Sequence, residues 1–305
     1  MKPIVTPFGF SSTALEVMAG IDLSGKKAII TGASSGIGIE TARALAVTGV
    51  EVILAVRNLE AGEAVVRELI ASTGNRNVRA VPLDLNDHAS IQSFAANWQG
   101  PLDILVNNAG IMALQELQLT PEGWEMQFAT NHMGHFELSL ALHGALAAAG
   151  NARIVSLSSS AHFRSPVIFD DLHFRYRYYD PTLAYAQSKT ANVLFAVEAS
   201  KRWAADGITA NAVMPGAIPT NLQRHVGARL NTPGDLQKTP QQGAATSVLL
   251  ATSPLLEGIG GRYFMNCTQA EVVVQRTADL TGVAPFALDP ENAERLWEMS
   301  LKMLG

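Results

Sequence analysis

KAIITGASSGIG, running from Lys27 to Gly38, places a short apolar strand directly against a glycine-rich turn and the start of a helical pattern. A dinucleotide site needs that order. Gly32 lets the chain turn tightly after the strand, Gly36 lets the backbone come close to a pyrophosphate, and Gly38 allows a helix to pack closely on a strand. The helix N-terminus that follows offers free N–H groups and the positive end of its dipole to phosphate. The spacing is T-G-x-x-x-G-x-G instead of the usual G-x-G-x-x-G, so by itself the stretch also fits a plain strand-to-helix turn.

Beyond this stretch, strand and helix patterns alternate. EVILAV (51–56) is a continuous apolar run of the kind buried on both faces of a parallel sheet. VRAVPLDL (78–85), LDILVNNAG (102–110), ARIVSLSSS (152–160), ITANAVMPG (208–216) and GRYFM (261–265) read as further strands. Helices are expected over 37–47, 59–72, 88–97, 122–149, 182–205, 240–252 and 291–303. Thr13 and Glu16 form a capping box ahead of a short helix over 14–19. The pattern predicts an α/β, doubly wound (Rossmann), mostly seven-stranded parallel sheet with helices on both faces. No linker or repeat divides residues 1–305, so one domain is expected. Residues 1–22 read as an N-terminal extension, and 160–181 and 217–239 as insertions on the substrate side. Arg57, Asp84, Asn108, Ser159 and Pro215-Gly216 all fall at the C-terminal ends of strands, where such sheets bind ligands.

The chain has 305 residues, of which 48% are hydrophobic and 16% charged, and a net charge of −5. That supports a large core and argues against nucleic acid as a partner. A lone cysteine, Cys267, excludes an internal disulfide and fits a reducing compartment. No apolar run approaches the ~18 residues needed to span a bilayer, and Pro, Gly and Glu break up the N-terminus as a signal peptide. A cytoplasmic protein is expected. Five of the seven histidines (His132, His135, His143, His162 and His173) show no metal-ligand spacing and read as core or surface residues, with no metal expected. Trp98, Trp124, Trp203 and Trp297 read as packing anchors.

Tyr185 and Lys189 lie four residues apart in the helix expected over 182–205, so phenol and ammonium share a face. A nearby cation favours phenolate and would lower a tyrosine pKa from ~10 toward working pH, and a tyrosine so tuned exchanges protons with an alcohol oxygen. Alone, Y-x-x-x-K is also common on surface helices.

TGASSGIG (31–38), NNAG (107–110), Asn131 in NHMGHF, Ser159 closing RIVSLSS, YAQSK (185–189) and PGAIPT (215–220) together resemble the short-chain dehydrogenase/reductase family, in order and spacing, over about residues 30–265. NHMGHF, the long insert before Tyr185 and SKTANVLF resemble its retinol dehydrogenase-like, WW-domain oxidoreductase-like and protochlorophyllide reductase-like branch. The resemblance implies that Tyr185 is the acid/base and that Lys189 lowers its pKa and holds the nicotinamide ribose. Ser159 would bond the substrate oxygen, in preference to Ser158. Asn131 would hold a water that relays protons to Lys189, or else brace a helix kink by bonding backbone. It further implies that Gly32, Ser34, Ser35, Gly36, Ile37 and Gly38 cradle the pyrophosphate. Asp84 and Leu85 would flank the adenine, and Asn108, with Ala109 and Gly110, its ribose. Ile218 and Thr220, with Pro215 and Gly216, would close over the nicotinamide.

Arg57 and Asn58 end the second strand, where a carboxylate would bond a ribose 2′-OH and an arginine suits a 2′-phosphate. With no carboxylate there, Arg57 favours NADP over NAD. Phe163, Phe169, Phe174, Tyr176, Tyr178 and Tyr179, between Ser159 and Tyr185, either line an apolar substrate cleft or form a flap packed on the sheet edge. The expectation is an oxidoreductase passing hydride between a nicotinamide and an apolar carbonyl or alcohol. The alternatives are an idle dinucleotide-binding sensor and a lyase or epimerase using bound NAD transiently. Helices 122–149 and 182–205 are candidate surfaces for a homo-oligomer.

Overall fold

A computed structural model describes residues 3–227 and 232–305; residues 228–231, within the insertion expected over 217–239, lie outside the described residues. Among the described residues the strands are β1 (Lys27–Thr31), β2 (Glu51–Val56), β3 (Val78–Pro82), β4 (Ile104–Asn107), β5 (Arg153–Leu157), β6 (Thr209–Met214), β7 (Tyr263–Met265) and β8 (Thr268–Gln269). They form one sheet in the order β3-β2-β1-β4-β5-β6-β7-β8. The first seven pair in parallel and β8 is antiparallel to β7.

The strand order reverses between β1 and β4, which opens a crevice at their C-terminal ends. Neighbouring residues of β1 serve opposite cores. Ile30 packs with helices α1 (Ala14–Val17), α2 (Ile37–Ala46), α3 (Leu59–Thr73) and α9 (Pro240–Thr252). Ile29 packs on the other face with α4 (His88–Ala96), α6 (Gly134–Ala141), α8 (Pro181–Arg202) and α10 (Pro290–Leu304). This two-sided burial is why β1 and β2 read as unbroken apolar runs. Trp203 and Trp297 anchor the second core edge to face, their rings 5.2 Å apart.

Local signals set the helix ends. The Thr13–Glu16 capping box forms, and Asp180, with Pro181 in the first turn, caps α8. The helix expected over 122–149 is instead broken into α5 (Met126–Phe128), a π-turn (Ala129–Met133), α6 and α7 (His143–Ala149). Its start is delayed because Glu125 caps Gln127 and Phe128 with its carboxylate. The π-turn lies where Asn131 bonds the backbone of Ile111. The eighth strand was not expected. Asn266 and Cys267, with φ of 50° and 58°, make the two-residue turn that folds it back on β7. No helix among the described residues is long and apolar enough to cross a bilayer.

Candidate active site

The crevice holds a cavity of about 730 Å³. Of the residues singled out for catalysis or cofactor binding, all but Gly38 and Asn131 line it, and those two stand directly behind its wall.

At one end lies the glycine turn. Gly32 has a φ of +66°, and a Cβ there would sit 2.9 Å from the Ala109 Cα. A Cβ on Gly38 would sit 2.7 Å from the Asn108 amide nitrogen and 2.9 Å from the Ala33 Cα, so this glycine is required by packing. Gly36 also has a positive φ, and its nearest neighbour across the cavity is Thr220. Thr31 ties the turn to the end of β4. Its hydroxyl accepts the N–H groups of Asn108 and Ala109, each at 2.9 Å, and pairs with the His135 ring at 2.8 Å. The Asn108 side chain donates to the Thr31 carbonyl at 2.7 Å, so it braces the turn. Arg57 is exposed at the cavity's edge with no hydrogen-bond or ion-pair partner among the described residues. Asn58 caps α3, and an Asp84 oxygen accepts the Asn86 N–H.

At the other end α8 presents Tyr185 and Lys189, both buried. The Ser159 hydroxyl accepts the Ala161 N–H at 3.1 Å and acts on the Tyr185 phenol in the direction that favours its charged form. The Lys189 ammonium donates to the Leu157 carbonyl at 2.9 Å and lies 5.6 Å from the centre of the Tyr185 ring. Ser158 turns away and donates to the Lys189 carbonyl. Behind Gly110, the Asn131 amide accepts from the Ile111 N–H at 2.9 Å and donates to the Ile111 carbonyl at 3.0 Å and to Ser188 at 2.9 Å. It therefore clamps the cavity wall and braces the kink at once.

Burial outweighs the lowering of the phenol expected from Lys189. It pushes Tyr185 up to about 12, with the Ser159 hydroxyl pulling the other way, and brings Lys189 down to about 7. Withdrawing both groups from water costs each its charged form. The resulting phenol is a proton donor.

None of the six aromatic residues between Ser159 and Tyr185 lines the cavity. Phe163, Phe169, Phe174 and Tyr179 pack as a flap. Phe174 stacks edge to face on Tyr179 and carries Arg177 on its ring. The Tyr179 hydroxyl accepts from Gln127, and Tyr176 and Tyr178 point to solvent. The apolar wall comes instead from Met112, Leu222, Val226, Leu236 and Leu280.

Phe10, from the N-terminal extension, and Lys238, before α9, are among the residues of this site that carried no sequence signal. His162 works from behind. Its Nδ1–H donates to the Ser159 carbonyl at 2.8 Å, and its Nε2 accepts the Ala284 N–H at 3.1 Å. Burial holds this histidine neutral by drawing it down to about 4.

The model of the family described as short chain dehydrogenase matches residues 26–231. A probable oxidoreductase from Streptomyces antibioticus is 54% identical over 290 residues, covering 91% of this chain and 97% of that one. Retinol dehydrogenase 12 from Bos taurus is 41% identical over 293 residues, covering 93% and 88%. The crystal structure of an uncharacterized protein from Mycobacterium paratuberculosis superposes with a TM-score of 0.75 at 34% identity, covering 96% and 97%.

Proposed function

Because the chain belongs to the short-chain dehydrogenase/reductase family, we propose that it is an NADP-dependent carbonyl reductase or alcohol dehydrogenase acting on an apolar substrate. One observation carries the reading. Ser159 and Tyr185 line the same cavity as a glycine turn whose Gly32 and Gly38 leave no room for side chains. The residues fit a dinucleotide. Ser34, Ser35, Gly36 and Ile37 offer the opening of α2 to the pyrophosphate, and Arg57 stands ready for a 2′-phosphate. When bound, the reduced nicotinamide supplies the hydride.

The chain's own residues do the rest. Ser159 donates a hydrogen bond to the substrate carbonyl oxygen and fixes it beside Tyr185. The Tyr185 phenol gives its proton to that oxygen as negative charge develops there. Lys189, anchored on Leu157, sets a positive field under the phenol that stabilises the phenolate left behind. Asn131 holds the Gly110–Ile111 wall in place. Met112, Leu222 and Leu280 exclude water and favour an apolar substrate, in keeping with the likeness to a retinol dehydrogenase.

The test is Tyr185→Phe, assayed by NADPH oxidation across a panel of apolar aldehydes and ketones. Turnover is expected to fall at least about a hundredfold with NADPH affinity unchanged. Wild-type turnover in the variant would overturn the mechanism. Tight NADPH binding by the parent with no turnover of any carbonyl would favour a dinucleotide-binding sensor.

A further inference from the structure

Lys238 is 3% exposed, and no acceptor for its ammonium is found among the described residues. Its backbone N–H donates to the Ala217 carbonyl at 2.8 Å. Its stem runs along Gly216, where a Cβ would lie 2.7 Å from the Lys238 Cδ. The ammonium sits 4.8 Å from the centre of the Phe10 ring, and both residues line the main cavity. Burial draws its pKa down, while the ring face favours the charged form. The nearby Cys267 thiol is pushed up by burial and brings no negative charge. A desolvated cation without a counter-ion is costly to keep, and the mechanism above does not use it.

Strand order says which part of a dinucleotide it would meet. The phosphates belong at the start of α2, beside β1. Lys238 lies against the end of β6, beyond β4 and β5. Three strand spacings separate β1 from β6, about 14 Å at ~4.8 Å each. Tyr185, Lys189 and Ser159 line the same cavity, with Ser159 following β5, next to β6. Lys238 therefore belongs to the nicotinamide half of the groove.

We propose that Lys238 is a specificity-determining residue that makes the pocket prefer the reduced cofactor over the oxidised one and so biases the enzyme toward carbonyl reduction. This rests on the function proposed above. The two cofactor forms have the same phosphates and riboses. The oxidised nicotinamide ring carries one positive charge more, and a fixed ammonium beside it repels that form alone. At an effective dielectric of about 20 and a separation of several ångströms, the preference amounts to roughly tenfold or more in affinity. Phe10 holds the ammonium in the groove, which gives the N-terminal extension a part in the selection.

The experiment measures dissociation constants for NADPH and NADP⁺ by calorimetry on the parent chain, Lys238→Met and Lys238→Arg, with circular dichroism to confirm the fold. Lys238→Gln replaces the Met variant if that one fails to fold. The ratio of NADP⁺ to NADPH dissociation constants is expected to fall about tenfold in the neutral variant, chiefly through tighter NADP⁺ binding, and to persist in Lys238→Arg. An equal weakening of both cofactors would assign Lys238 to phosphate binding and overturn the proposal, as would an unchanged ratio. If the parent binds neither cofactor, the proposed function fails; if it binds both and the ratio ignores the substitution, only the role of Lys238 fails.

Discussion

Replacing Asn131 with alanine tests whether the cavity wall depends on one buried amide. The side chain is fully buried and makes three hydrogen bonds at 2.9–3.0 Å, two to the backbone of Ile111 and one to Ser188. Each contributes about 1 kcal/mol net, and the abandoned Ile111 N–H and carbonyl have no water to turn to. The loss is therefore about 3 kcal/mol. For a chain of this size that corresponds to roughly 6 °C in melting temperature, at about 2 °C per kcal/mol. Both amide protons are committed, which leaves one oxygen lone pair for a relay water. Thermal unfolding and urea titration with and without NADPH give the stability; the pH profile of kcat shows whether a proton path is also lost. Because a Cβ at Gly110 would lie 3.2 Å from the Asn131 oxygen and 3.5 Å from the Lys189 ammonium, the freed wall is expected to weaken NADPH binding as well. A variant melting within 1 °C of the parent, as judged against the ~6 °C expectation, would refute this account of the clamp.

Arg57→Ala is expected to weaken NADPH binding roughly tenfold or more while sparing NADH, since only the former has a phosphate to pair with the guanidinium; parallel titrations that lose both equally would remove Arg57 from cofactor choice. The buried histidines make the fold sensitive to acid. Burial lowers His132 to about 3 and His135 and His162 to about 4. Below about pH 6.5 the unfolded chain binds protons at these sites that the folded chain does not, so stability falls as pH falls. Urea-derived stability is expected to drop by about 4 kcal/mol between pH 7 and pH 5.5, and a flat profile would show that these rings titrate normally.

The legible parts of this protein were those that backbone geometry imposes locally. Gly32 and Gly38 announce the turn because nothing larger fits beside Ala109 and Asn108. Tyr185 and Lys189 announce themselves by helical spacing. What escaped depends on residues distant in sequence. The π-turn in the helix expected over 122–149 lies where Asn131 reaches back twenty positions to Ile111. Lys238 and Phe10 meet across more than two hundred residues. Helical spacing shows the cation near the phenol but not the desolvation of both partners, which pushes Tyr185 up and Lys189 down. The aromatic run before Tyr185 was legible as a feature, but its choice between cleft and flap was made by partners such as Gln127.

His162 ties the serine loop to Ala284, more than fifty residues past the end of the 26–231 family match. Grafting the tail of one relative onto the body of another would thus tamper with the Ser159 hydroxyl from a distance, through a single imidazole. Chimeras of this chain should inherit residues 162 and 284 from the same parent.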